Sequence, residues 1–189
     1  MPDVVDLILS DHREVERLFA LLRDPETRAQ NVPVLVTLLT AHSRAEEAEV
    51  YPAARDEAGA ADDVAHSQAE HAEADELLAR LQACDPDSSE FDGVLSELVD
   101  AVSHHVEEEE ETVLPAMRSG LDGARRVELA EAFLASRAEH LGAGPDDITL
   151  EERRQQAANA DIDGRAGMGK DEIESELKAK AEEEEESEG

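Results

Sequence analysis

His42-Ser43-Arg44-Ala45-Glu46-Glu47 runs on to Val50-Tyr51-Pro52, and His105-Val106-Glu107-Glu108-Glu109-Glu110 runs on to Val113-Leu114-Pro115. In both stretches a Glu follows a His by four positions and a Pro follows it by ten. Positions four apart share one face of an α-helix. The residues upstream say which face it is. Leu35, Leu38 and Leu39 lead into His42, and Val94, Leu98 and Val102 lead into His105, all at helical spacing. His and Glu therefore fall on apolar stripes, where helices pack together. An isolated ionised carboxylate there is very costly, and two facing each other are worse. Each must be protonated, paired with a cation or bound to metal. No Lys or Arg occupies these stripes.

The same stripe logic extends outward. Residues 2–23 form a first periodic segment carrying Ile8, His12, Val15, Phe19 and Leu22, and residues 62–83 a third carrying Val64, His71, Ala74, Leu78 and Leu81. The quoted stretches lie in a second segment, 33–58, and a fourth, 89–118. Breaks are expected at 24–31, 59–61 and 85–88. Connections this short imply antiparallel neighbours, so the expected fold is all-α, an up-down four-helix bundle. Asp11-His12 and Glu70-His71 also match one another, which makes the four segments a duplication with a period of about 60 residues. Two helix pairs related by a pseudo-two-fold axis would bring equivalent groups face to face.

A fifth amphipathic helix, 124–141, is expected on the outside of the bundle, completing a domain of residues 1–141. Residues 142–147 read as a linker, 148–178 as a small helical module, and 179–189 as a solvated acidic tail.

The candidate metal ligands are His12, His42, Glu46, His71, His105 and Glu109. Four imidazoles and two carboxylates around a divalent pair resolve the cost of burying the acids. Mixed nitrogen and oxygen ligation suits iron, with manganese or zinc as alternatives. Six protein ligands for two metals leave open positions for water, hydroxide, dioxygen or a peroxide. Ferritin-type bundles use Glu-x-x-His, and no His here has Glu three positions before it.

At these residues the chain resembles the hemerythrin-like, or HHE cation-binding, family. The match lies in Asp11-His12 on the first helix, His42-x-x-x-Glu46 on the second, His71 on the third and His105-x-x-x-Glu109 on the fourth. The resemblance implies two non-haem iron ions, oxo- or hydroxo-bridged, in a protein that binds dioxygen or senses oxygen, redox state or iron. A peroxide- or nitric oxide-consuming enzyme would use the same ligands, and a metal-free interaction bundle is the contrasting reading. The chain departs from the oxygen carriers at two points. Ser67 and Asp75 stand four from His71, where a second His is expected, and a carboxylate five after the fourth-helix His would pair His105 with Glu110 or His104 with Glu109. The internal repeat selects His105 with Glu109. His66, His104 and His140 are read as surface or supporting residues, Tyr51 as packing, and Glu107 to Glu111 as a mostly solvated face.

Ile162, Gly164-Arg165, Met168, Lys170-Asp171-Glu172 and Leu177 resemble the small helix–extended–helix module of the Rho N-terminus and SAP-like repeats. That family can contact nucleic acid. A formal net charge of -32 argues against it here, so 148–178 is the one segment through which such contact is conceivable. The same charge opposes anionic membranes, and no apolar run approaches the roughly 18 residues of a membrane span. With one cysteine, Cys84, there is no disulfide framework. The expectation is a cytoplasmic monomer whose partner is dioxygen or a related small oxidant or gas.

Overall fold

The structure is a computed structural model that describes the backbone of residues 2–188 and the side chains of residues 2–180. The chain is all-α. Helix α1 spans Val4–Leu22, α2 Pro25–Ala45, α3 Tyr51–Glu57, α4 Ala61–Ala83, α5 Ser89–Glu111, α6 Val113–Gly120, α7 Gly123–Glu139, α8 Leu150–Asn159 and α9 Lys170–Glu188. A π-helical turn, Glu46–Val50, joins α2 to α3, and a short 3-10 turn, Arg165–Gly167, precedes α9.

Helix starts follow local capping chemistry. Asp3 and Asp6 form a capping box at α1, and Thr149 and Glu152 form another at α8. Asp24, Ser88 and Asp122 accept from free N–H groups at the starts of α2, α5 and α7. Each cap is worth about 1 kcal/mol. The cap at Asp24 corrects the expected break at 24–31. With Asp24 as N-cap and Pro25 in the first turn, α2 begins at once and carries Pro33 in its interior. Pro33 and Ala29, one turn before it, are both exposed, so water can serve the carbonyl that the proline leaves unbonded.

The fourth segment is likewise broken, at Thr112 between α5 and α6. Both irregularities stand just before a proline. Pro52 and Pro115 cannot bond the carbonyls of Ala48 and Glu111, and the helix yields at that turn. Beyond it, α3 turns back through Gly59, whose φ of +75° suits glycine. The end of α6 presses so closely on α3 that a Cβ on Gly120 would lie 2.8 Å from the Cα of Ala58.

Helix α1 packs on α2 and α5, and α4 on α2 and α5, closing a ring of four. Two apolar clusters fill it. One gathers Val15, Leu22, Leu35, Leu78, Phe91 and Leu98. The other gathers Ile8, Val50, Tyr51, Val64, Val113 and Leu114. His12, His42, His71 and His105 lie in sequence at the junction of the two. Helix α7 lies against α1, α2 and the π turn. Its Phe133 is fully buried.

Helices α8 and α9 share a small core of Ala157, Ala160, Ile162, Ile173 and Leu177, and Ala72 of α4 is part of it. The C-terminal helices are therefore seated on the bundle. The backbone of α9 continues to Glu188, and the expected solvation of the Glu-rich side chains after Lys180 lies outside the described residues. No described helix is long and apolar enough to cross a membrane.

Candidate metal centre

All six candidate side chains meet between the two apolar clusters, and all are buried. His42 Nε2 lies 3.2 Å from a Glu46 carboxylate oxygen, and His71 Nε2 lies 3.5 Å from the same oxygen. His71 Nε2 and His105 Nε2 are 3.1 Å apart. His12 Nε2 lies 3.3 Å from Glu109 Oε2. Two triads result, His12/His42/Glu46 and Glu46/His71/His105, each with donor atoms within 4.8 Å of one another and Glu46 common to both.

The π turn contributes to this placement. Its last bond runs from Tyr51 N–H to the Glu46 carbonyl, one residue wider than an α turn. Glu46, Glu47, Val50 and Tyr51 all end up buried. The Tyr51 hydroxyl lies 3.0 Å from His71 Nε2, so this residue touches the centre and does more than fill space.

Each imidazole is braced from behind. His12 Nδ1 is 3.0 Å from Glu110, His42 Nδ1 3.3 Å from Asp11, His71 Nδ1 3.2 Å from Glu47, and His105 Nδ1 2.8 Å from Glu70. A carboxylate accepts, so each Nδ1 carries a proton and each Nε2 is the ring nitrogen left on the inner side. The braces obey the internal repeat. The acid just before the first- and third-segment histidines holds the histidine of the next segment. The acid just after Glu46 and after Glu109 holds His71 and His12.

Three braces are themselves paired with arginine. Arg137 donates to Asp11 at 2.7 Å, Arg44 to Glu47 at 3.0 Å, and Arg13 to Glu110. Glu47 also accepts from Gln68 and from Gln156 of α8, both at 2.9 Å, and Asn159 donates to the Glu47 carbonyl at 3.0 Å. A continuous hydrogen-bond path thus joins His71 to the C-terminal helices.

Burial drives the electrostatics. It pushes His42 down to about 4 against the pull of Asp11, so this ring is neutral. Burial, the Glu109 charge and then the Asp11 and Glu47 charges raise Glu46 well above the carboxylate range. Burial would raise Glu109 too, but the His12 ring 3.3 Å away and the other imidazole charges bring it down to about 2.

The chemistry of the donor set fits a metal pair. Both oxygens of Glu46, both oxygens of Glu109 and His12 Nε2 are buried without a hydrogen-bond partner. Orphaned buried acceptors of this kind are rare and costly. With both Nδ1 atoms committed to carboxylates, the two lone pairs of His71 and His105 face each other across 3.1 Å. A cation on the inner side satisfies all of these atoms at once. Carboxylate–histidine bracing is also what orients imidazoles toward a metal.

Sequence reasoning gave the four acids no bracing role: it named Asp11 and Glu70 as the residues before His12 and His71, kept Glu110 as an alternative ligand and read Tyr51 as packing, and it did not place Phe133, whose ring stands edge-on to His42 at 5.9 Å, beside the centre. The signal available was adjacency, because each brace is one residue from a residue that the repeat had already singled out. His140, read as a surface or supporting residue, joins the Ser136 carbonyl to Glu152 and so ties α7 to α8.

A DNA nickase of Nostoc is 32% identical over 138 residues, 71% of this chain. The chain spans only 39% of that protein's length. A hemerythrin-like protein of Schizosaccharomyces pombe is 28% identical over 140 residues, covering 70% of this chain and 68% of the relative. No solved structure matches. Residues 3–117 match the hemerythrin HHE cation binding domain, and the chain belongs to that family.

Proposed function

We propose that this chain is a non-haem di-iron protein that binds or senses dioxygen, redox state or iron, its two metals held by His12, His42, Glu46, His71, His105 and Glu109. One observation carries the reading. Two buried triads share Glu46, and their carboxylate oxygens have no hydrogen-bond donor. Bound iron would supply a one-electron redox couple and open coordination positions for a small ligand.

The chain's own residues do the rest. Asp11, Glu47, Glu70 and Glu110 hold the Nδ1 protons and fix the rings. Phe133 and the two apolar clusters keep bulk water away. The Tyr51 hydroxyl donates to His71 Nε2 in the absence of metal. The path from His71 through Glu47 to Gln156 and Asn159 favours sensing over carriage, because it gives the ligand state a route to the C-terminal helices. A net charge of -32 repels a phosphate backbone and so weighs against the activity named for the Nostoc relative.

Elemental analysis and an optical spectrum of the purified protein test the proposal. The expected result is iron approaching two per chain with charge-transfer absorption, and strong loss of both in Glu46→Ala. Negligible iron after anaerobic reconstitution with ferrous salt, with no such absorption, overturns it. Catalytic turnover of peroxide or nitric oxide would move the reading from sensor to enzyme.

A further inference from the structure

The four bracing carboxylates are not equivalent on their outer side. Asp11, Glu47 and Glu110 each meet an arginine. Glu70 meets His66 and His104, with Glu108 beside them. These residues form two further His-x-x-x-Glu pairs, His66 with Glu70 on α4 and His104 with Glu108 on α5. Each histidine stands one position off its helix's inward stripe or further, so the pairs face each other on the outer edge of the α4–α5 contact. One donor atom from each of the four residues lies within 4.8 Å of the others.

The separations straddle those around a bound metal. His66 Nε2 lies 2.7 Å from Glu108 and 3.8 Å from Glu70, while His104 Nε2 lies 3.4 Å from Glu108 and 3.9 Å from Glu70. A tetrahedral ion with bonds of about 2.0–2.1 Å needs donors roughly 3.3–3.4 Å apart. The facing atom, Glu70 Oε1, is buried and accepts no hydrogen bond. Its other oxygen holds His105 Nδ1 at 2.8 Å. A carboxylate that binds a core imidazole on one side and looks into two imidazoles on the other lacks the guanidinium that its three counterparts have.

We propose that His66, Glu70, His104 and Glu108 form a second cation site, for a divalent transition ion of the zinc or ferrous class. It sits at the rim of the bundle, one carboxylate away from His105. Two imidazoles and two carboxylates favour such an ion over magnesium or calcium, which prefer all-oxygen shells. The accessibility of the site, with the His104 side chain 53% exposed, lets it load without opening the bundle.

The test is metal stoichiometry on the full chain, stripped of metal and then titrated with cobalt(II). Wild type is expected to bind one equivalent more than His66→Asn/His104→Asn, and that equivalent should show the intense visible bands of four-coordinate cobalt. Equal stoichiometry in the two proteins overturns the proposal. So does an extra equivalent lacking those bands, or one displaced by a modest excess of magnesium. Should the double variant fold poorly, Glu108→Gln, a single change at a partly exposed position, is expected to lose the same equivalent. Glu46→Gln separates this site from the buried one. It should keep the rim equivalent with its spectrum while losing the core metal, whether or not the core takes iron.

Discussion

Glu46 and Glu47 are sequence neighbours with opposite roles in charge. Glu46 has no donor, and burial raises its pKa far up, whereas Arg44, His71 and Gln68 outweigh burial at Glu47 and lower it to about 2. A carboxylate depressed from 4.5 to about 2 contributes stability that is fully present above pH 4.5 and is lost as the pH falls toward 2. The contribution is on the order of 3 kcal/mol at neutral pH. Glu47→Gln should therefore be destabilised at pH 7, and the gap from wild type should narrow through that acid window. Chemical denaturation of the metal-free proteins at several pH values measures it. A gap that stays constant from pH 7 to pH 3 would show that Glu47 acts without its charge.

Proton traffic at the centre follows from the same reasoning. His12, raised by Glu109 and Glu110 despite its burial, and Glu46 both favour their protonated forms in the metal-free protein. Metal uptake should then release protons and weaken as the pH is lowered. A weakly buffered titration with a pH electrode reads this directly, and uptake with no proton release would contradict the assignment of these residues as ligands.

At the scale of elements, the bundle and its stripes were legible in the sequence because apolar periodicity survives in a chain otherwise rich in acids. His12, His42, His71 and His105 stood out because they interrupt those stripes. The braces did not stand out, because Glu47, Glu70 and Glu110 are three carboxylates among 49 acidic residues, and adjacency to a candidate ligand does not by itself say which imidazole an acid will hold. The π turn was hidden for a different reason. Residues 46–50 keep an ordinary helical composition, and the single clue is Pro52, whose effect depends on the carbonyl it displaces. The start of α2 was misplaced because Pro33 reads as a helix opening, while Asp24-Pro25 supplies the real one.

Helix α7 was placed as an accessory on the bundle's outside, yet its Phe133 is wholly buried against His42. Phe133→Ala should cost about 3–5 kcal/mol in thermal or chemical denaturation. A change under 1 kcal/mol would show that α7 is dispensable to the centre.

For the whole molecule, the division between the bundle and the C-terminal helices is crossed by buried polar contacts. Gln156 and Asn159 donate to Glu47 and Gln68, and Arg44 reaches the Pro145 carbonyl at 3.3 Å. Gln156→Ala with Asn159→Ala leaves buried acceptors short of donors, at about 1–3 kcal/mol for each group left unsatisfied. Metal affinity should fall with it by about 10- to 100-fold, the usual effect of loosening a brace. Unchanged affinity in a competition titration would confine the C-terminal helices to a purely mechanical role.

The path from Glu47 to Asn159 also fixes an order of assembly. A polypeptide emerges from the ribosome N-terminus first, and its earlier portions begin to fold while later ones are still being made. The four long helices are complete once Glu111 has emerged, but Glu47 gains its donors from α8 only some way further along the chain. Until then the Glu47 carboxylate that holds His71 rests on Arg44 and Gln68 alone. The full set of donors on Glu47 is in place only once translation has passed α8.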